Sequence, residues 1–87
     1  MNNIAFTTSA KKDIRKLAST DRTQVFTKLR QLTHPFPDHL NIKYLANSEG
    51  YYRLRVDMVR VIFFIHPTSK DIVIRHVGYR GKIYRKL

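Results

Sequence analysis

The stretch at positions 51–65, YYRLRVDMVRVIFFI, leaves the chain little freedom of conformation. Its side chains alternate with a period of two, and a strand sends alternate side chains to opposite faces. The β-branched and aromatic content favours strand over helix for so short a run. The spacing predicts two strands joined by a tight turn at Asp57-Met58. In the first, Tyr52, Leu54 and Val56 point one way and Tyr51, Arg53 and Arg55 the other. In the second, Val59, Val61, Phe63 and Ile65 share a face, with Arg60, Ile62 and Phe64 opposite. The product is a sheet with one apolar face and one face studded with arginine, suited to an anionic partner.

The remainder supplies a cover for the apolar face. Residues 3–6 are expected to form a short first strand. Thr7, Thr8 and Ser9 offer hydroxyls for an N-cap, and Ala10, Ile14, Leu17 and Ala18 then recur at helical spacing. Ser19-Thr20-Asp21 breaks that helix and offers caps for a second, whose stripe is Val25, Phe26, Leu29 and Leu32. Its end is expected at Pro35 and Pro37, which cannot continue a helix. Each helix has one face to bury, so the two are expected as a hairpin packed on the sheet. Residues 41–45 read as a brief extended segment and 47–50 as a turn. After a polar loop at 66–70, residues 71–77 form a further strand. Ile72, Ile74 and His76 are expected on one face of it, Val73, Arg75 and Val77 on the other, in a central position. His76, in phase with isoleucines, reads as a partly buried histidine with its hydrogen bonds met. Residues 78–81 then turn the chain into 82–87.

A length of 87 residues allows one hydrophobic core, so residues 1–87 are expected to be a single domain. The sequence has no cysteine, which removes disulfides and thiolate zinc sites. His34 and His39 sit in one loop without the carboxylates needed to complete a metal site, and neither metal nor cofactor is expected. The N-terminus shows no signal peptide and nothing reaches the length of a membrane span, so the expectation is a soluble cytoplasmic protein without a membrane partner. Seventeen Lys and Arg against six acids give a formal net charge of +11. A field of that size favours polyanions such as RNA, DNA or an acidic protein segment. The excess is uneven: from Tyr51 onward there are nine basic residues and two acids, against eight and four before it.

The order of a helix hairpin, Tyr52-Arg53-Leu54-Arg55-Val56, a short turn, Arg60-Val61-Ile62-Phe63, a second hairpin, Gly78-Tyr79-Arg80 and Ile83-Tyr84-Arg85 resembles the RelE/ParE superfamily of bacterial and archaeal type II toxins, in its RelE-like branch. The resemblance covers essentially the whole chain, and the two arginine-bearing segments are its specific part. It implies an α+β, RelE-like fold: an N-terminal strand and a two-helix hairpin packed on a twisted antiparallel sheet of three or four strands. It also implies a cognate antitoxin that neutralises the toxin. For the RelE branch it implies entry into the ribosome and cleavage of mRNA in the A site, by attack of the ribose 2′-OH on the adjacent phosphate without metal.

That chemistry needs preorganised positive charge where the phosphate gains negative charge, and arginine stays charged and binds phosphate oxygens in bidentate fashion. By resemblance Arg53, Arg60, Arg80 and Tyr84 are the catalytic candidates. Arg55, Arg75, Lys82, Arg85 and Lys86 are candidates for RNA binding. Tyr84 matches the family's C-terminal tyrosine, and neighbouring arginines would favour the phenolate that a base needs. The sequence departs from the family's pattern in three places. Tyr51 stands where a lysine is common, Arg80 where several relatives carry a histidine, and Asp57-Met58-Val59 where Gly-Asp-Tyr is usual. The phosphate-binding half is thus retained and the proton-transfer half is left open. Plainer roles exist: Arg55 covering the sheet edge or pairing with Asp57, and Tyr84 packing its ring at the rim. Two other functions fit the same residues: a ParE-like toxin that inhibits DNA gyrase without cutting, and a non-catalytic nucleic-acid-binding or ribosome-associated module.

Overall fold

β4 (Val59–Ile65) is the middle strand of a five-stranded sheet in the order β1-β5-β4-β3-β2. The computed structural model describes residues 3–46 and 48–80. β3 (Tyr52–Val56) pairs antiparallel with β4 across the Asp57-Met58 turn, and β5 (Ile72–Tyr79) pairs antiparallel on its other side. β2 (Ile42–Tyr44) lies antiparallel outside β3, and β1 (Ile4–Phe6) lies parallel outside β5. The expected layout of N-terminal strand, helix hairpin and sheet is present: β2 to β5 are four antiparallel strands, and β1 joins them as a parallel fifth. The two edge strands span three residues each, too short to show a period, and they are fixed by their partners: Ile4 to Ile72 and Ile42 to Leu54. β1 is parallel because the chain crosses through both helices before its partner is laid down.

The main hairpin has the predicted register, with Leu54 opposite Val61 and Arg55 opposite Arg60. Asp57, the first turn residue, has φ 52°, a conformation that Asp tolerates better than most side chains. β5 does not alternate as expected. The register slips between Ile62 and Phe63, which face His76 and Ile74, so Arg75 is the extra residue of a bulge. The slip reverses the phase of the strand beyond it. Ile72, Ile74 and Val77 are therefore the core residues, and His76 moves to the side of Ile62.

α1 (Thr8–Arg15) starts at the hydroxyl cap, where Thr7 Oγ1 accepts from the Ala10 N–H at 3.1 Å. The Thr7 hydroxyl also donates to the Arg75 carbonyl at 3.0 Å, so the cap ties the helix to the bulge. Ala10, Asp13 and Ile14 face inward, and Leu17 follows beyond the helix end. Ala18 is exposed rather than on this stripe, because it is the N-cap of α2 (Ser19–Leu29). No side chain of the expected Ser19-Thr20-Asp21 group caps α2; the Ala18 N–H instead donates to the Tyr79 hydroxyl at 3.1 Å. The helix ends at Leu29, ahead of Pro35 and Pro37, and a turn carries Leu32 into the core. Phe26 remains 36% exposed in a groove between the helices, with its ring 6.3 Å from that of Phe6. Both helices cover the apolar face, where Val25 and Leu29 meet Leu54, Val61 and Phe63. Phe36 from the loop closes one end of this core, edge-on to Tyr52 and Phe63.

Candidate nucleic-acid interface

The opposite face of the sheet carries the predicted site in two cross-strand rows. Arg55, Arg60 and Gly78 form the row nearest the Asp57-Met58 turn; Arg53, Ile62 and His76 form the next. Like charges directly opposed across two strands repel, and Arg55 and Arg60 are so placed. A bound anion relieves that repulsion. Arg80 completes the group, because its N–H donates to the Met58 carbonyl at 3.0 Å and pins the end of β5 beside the same turn.

Arg60 is not an exposed arginine. It is 5% exposed, and Nη1 donates to the carbonyls of Asp57 at 2.8 Å and of Val59 at 3.4 Å. A buried charge must be matched by hydrogen bonds, and the turn's own carbonyls supply them. Ile62 on the same face is likewise fully buried. Arg53 is half-buried. Its Nη2 donates to Asn41 Oδ1 at 2.8 Å, while its Nε has no hydrogen-bond partner among the described residues. Arg55 and Arg80 are exposed, as is Arg75 at the bulge. The structure thus brings Arg55, Arg60 and Arg80 to one turn, places Arg53 one row away, and sets Arg75 toward the β5 edge. Tyr84, Lys82, Arg85 and Lys86 lie outside the described residues.

Several contributors to this site leave no signal in the sequence. Asn41 orients Arg53 and also accepts the Arg55 N–H through its carbonyl at 2.9 Å. Asp13 is buried in α1, where Oδ2 accepts the Val77 N–H at 3.0 Å and lies 3.7 Å from His76 Nδ1. β1 pairs with β5 only as far as Ile74, so that N–H has no strand beside it, and the carboxylate takes the place of one. The only sequence sign was an acid among lysines on a helix. Of the two loop histidines, His34 packs edge-on against Phe36 and His39 Nε2 pairs with Gln31 Oε1 at 2.7 Å. Among the described residues no three His, Cys, Asp or Glu side chains converge in a way that would hold a metal ion. No helix among them is long and apolar enough to cross a membrane.

A basic sheet face backed by two helices, in an α+β fold, defines a class of protein suited to an anionic partner, and comparison with known proteins gives the family. The family model described as the ParE toxin of type II toxin–antitoxin system, parDE, matches residues 4–84. The chain belongs to this family, within the RelE/ParE superfamily, and is a toxin of a type II toxin–antitoxin system. Solved structures agree on the fold. The RelB–RelE complex of Methanococcus jannaschii matches with a TM-score of 0.79 at 21% identity, over 95% of this chain and 98% of that one. The intact Escherichia coli RelBE complex matches with a TM-score of 0.72 at 25% identity, over 94% and 100%. The RelBE2 complex of Mycobacterium tuberculosis matches with a TM-score of 0.75 at 24% identity, over 93% of each. No curated protein sequence matches the chain.

Proposed function

We propose that this toxin is a ribosome-dependent endoribonuclease that cuts mRNA in the A site, acting in the cytoplasm and restrained by a cognate antitoxin. The observation that carries the reading is the convergence of Arg55, Arg60 and Arg80 on one turn. Three arginines gathered at a turn whose one acid is Asp57 leave a surplus of positive charge that suits a phosphate. In the proposed step the 2′-oxygen bonds to the adjacent phosphorus and the bond from phosphorus to the 5′-oxygen breaks. A base takes the 2′-hydroxyl proton, and the departing 5′-oxygen gains one. The products are a 2′,3′-cyclic phosphate and a 5′-hydroxyl, and the step needs no metal. Arg60 and Arg80 stabilise the charge that grows on the phosphate, Arg53 positions it, and Tyr84 is assigned the proton by resemblance. Arg55, Arg75, Lys82, Arg85 and Lys86 hold the strand by its phosphates.

The antitoxin reading draws support from the similar structures, which are toxin–antitoxin complexes. An acidic or amphipathic segment laid over the arginine face fits the charge of this chain. Charge reversal at Arg53 and Arg80 is expected to weaken that complex.

A second reading has its own observation. The matching family model is that of the ParE toxin rather than of a RelE toxin, which favours a gyrase inhibitor that cuts nothing. Primer extension on an mRNA in a purified translation reaction separates the two. Cuts confined to ribosome-engaged message are expected. Intact message with unimpaired translation, together with loss of gyrase supercoiling, would establish the second reading.

A further inference from the structure

A groove beside the arginine face is not used by the proposed chemistry. β2 pairs with β3 at residues 52–54 and the Asn41 carbonyl takes the Arg55 N–H, so β3 has an open edge only beyond Arg55. Between that edge and α2 lies a cavity of about 520 Å³, within the usual range of about 300–1,000 Å³ for ligand pockets. Its floor includes the buried side chains of Leu40 and Val56. Gln24 and Lys28 line it from α2, His39 and Asn41 from the loop, and Arg55 and Asp57 from the end of β3.

We propose that this groove is a nucleotide subsite, holding one unpaired ribonucleotide of the strand whose scissile phosphate lies on the arginine face; the inference rests on the RNA-cleaving reading. Three features point to a nucleotide rather than to a bare anion. Lys28 and Arg55 supply charge for a phosphate. His39 is held by Gln31 at 2.7 Å, so its ring is a fixed surface on which a base can stack. Gln24 and Asn41 carry amides, the groups that pair with base edges, and the Asn41 oxygen is already committed to Arg53 at 2.8 Å. The Asn41 amide nitrogen is the end left for a ligand. Asp57 is the acid in the lining, and it turns the phosphate toward Lys28 and Arg55 while offering an acceptor to a hydroxyl or an exocyclic amine.

Continuity with the arginine face is built in. Arg55 lines the groove and stands opposite Arg60, and Arg53 is tied to the groove through Asn41. A strand that places its phosphate between Arg60 and Arg80 passes over Arg55 into the groove. The occupant is then a neighbour of the cut site, and the groove contributes to sequence preference.

The test is fluorescence anisotropy of the full chain with a short labelled RNA whose 2′-hydroxyls are methylated, so that it binds uncut. Each variant is first checked by thermal melting. Lys28→Gln is expected to weaken binding about tenfold and to lower the slope of log affinity against log salt by about 0.7, the share of one phosphate contact on a single strand. His39→Ala is expected to weaken binding about tenfold through lost stacking. Wild-type affinity and slope in both variants, with Arg80→Ala still weakened, would overturn the subsite and leave the arginine-face reading standing. Loss in Lys28→Gln with none in His39→Ala marks a diffuse charge effect and also overturns it. A wild-type protein that neither binds this RNA nor cuts ribosome-engaged message removes both the subsite and the reading beneath it.

Discussion

Arg60 Nη1 donates to the carbonyl of Asp57 at 2.8 Å, so this arginine braces the turn that brings Arg55 and Arg80 together. By resemblance Arg60 is a phosphate ligand, and its burial gives it a structural role as well. Hydrogen bonds to a charged donor contribute about 1.5–3 kcal/mol each, and truncation leaves the Asp57 carbonyl without this donor. Arg60→Ala is expected to lower stability by roughly that amount in urea unfolding, as well as removing cleavage. Arg60→Lys keeps the charge without the planar fork and is expected to fall between the two. An unchanged unfolding midpoint in Arg60→Ala would show that the brace carries no energy.

Arg80 gives the cleaner probe of function. Its structural bond to Met58 is made by the backbone N–H, which alanine retains, and its side chain is exposed. Removing one donor aimed at developing charge typically costs about 3 kcal/mol, or around a hundredfold in rate. Arg80→Ala is therefore expected to cut about a hundredfold more slowly on programmed ribosomes with its melting temperature unchanged. Wild-type rates in both Arg80→Ala and Arg53→Ala would sink the site assignment.

These two arginines also show where sequence legibility stops. The main hairpin was readable because its side chains alternate without interruption from Tyr52 to Val56 and from Val59 to Ile65. Both faces and the register of Arg55 against Arg60 follow from that period. In β5 the period misled, because one extra residue at Arg75 reverses the phase, and an inserted residue leaves no mark in a run such as DIVIRHV. The acceptors of Arg60 are backbone carbonyls, which every residue owns and no composition reveals. Asn41 is equally silent: its pairing with Arg53 depends on β2, a strand of three residues fixed by tertiary contact.

Asp13 tests how much the edge of β5 beyond β1 depends on a side chain. Its carboxylate stands in for the missing strand partner of the Val77 N–H, and the residue is buried. Leaving a buried donor unsatisfied costs about 1–3 kcal/mol. Asp13→Ala is expected to lose that much stability, while Asp13→Asn keeps an oxygen that accepts the same bond and is expected to lose less. Hydrogen exchange at the Val77 amide gives a local readout. It should quicken strongly in the alanine variant and mildly in the asparagine one. Equal protection in all three proteins would mean that the amide is shielded by packing alone.

Tyr79 joins the end of β5 to the start of α2, and it does so with one oxygen. The hydroxyl donates to Asp21 Oδ2 at 2.7 Å and accepts the Ala18 N–H at 3.1 Å. Four N–H groups at a helix start lack partners within the helix, and a side-chain cap usually serves one of them. No such cap is present at α2, so the tyrosine from a distant strand does that work at the residue just before the helix. Tyr79→Phe keeps the ring and removes only the oxygen, which isolates the polar contribution from the packing one. One hydrogen bond to a charged acceptor and one to a backbone donor are lost, so a destabilisation of about 2 kcal/mol is expected. The loss should concentrate at the first turn of α2, seen as faster amide exchange there than in β3 or β4. If the variant melts like the wild type, Asp21 and the Ala18 amide are equally well served by water, and α2 is held to the sheet by Val25 and Leu29 alone.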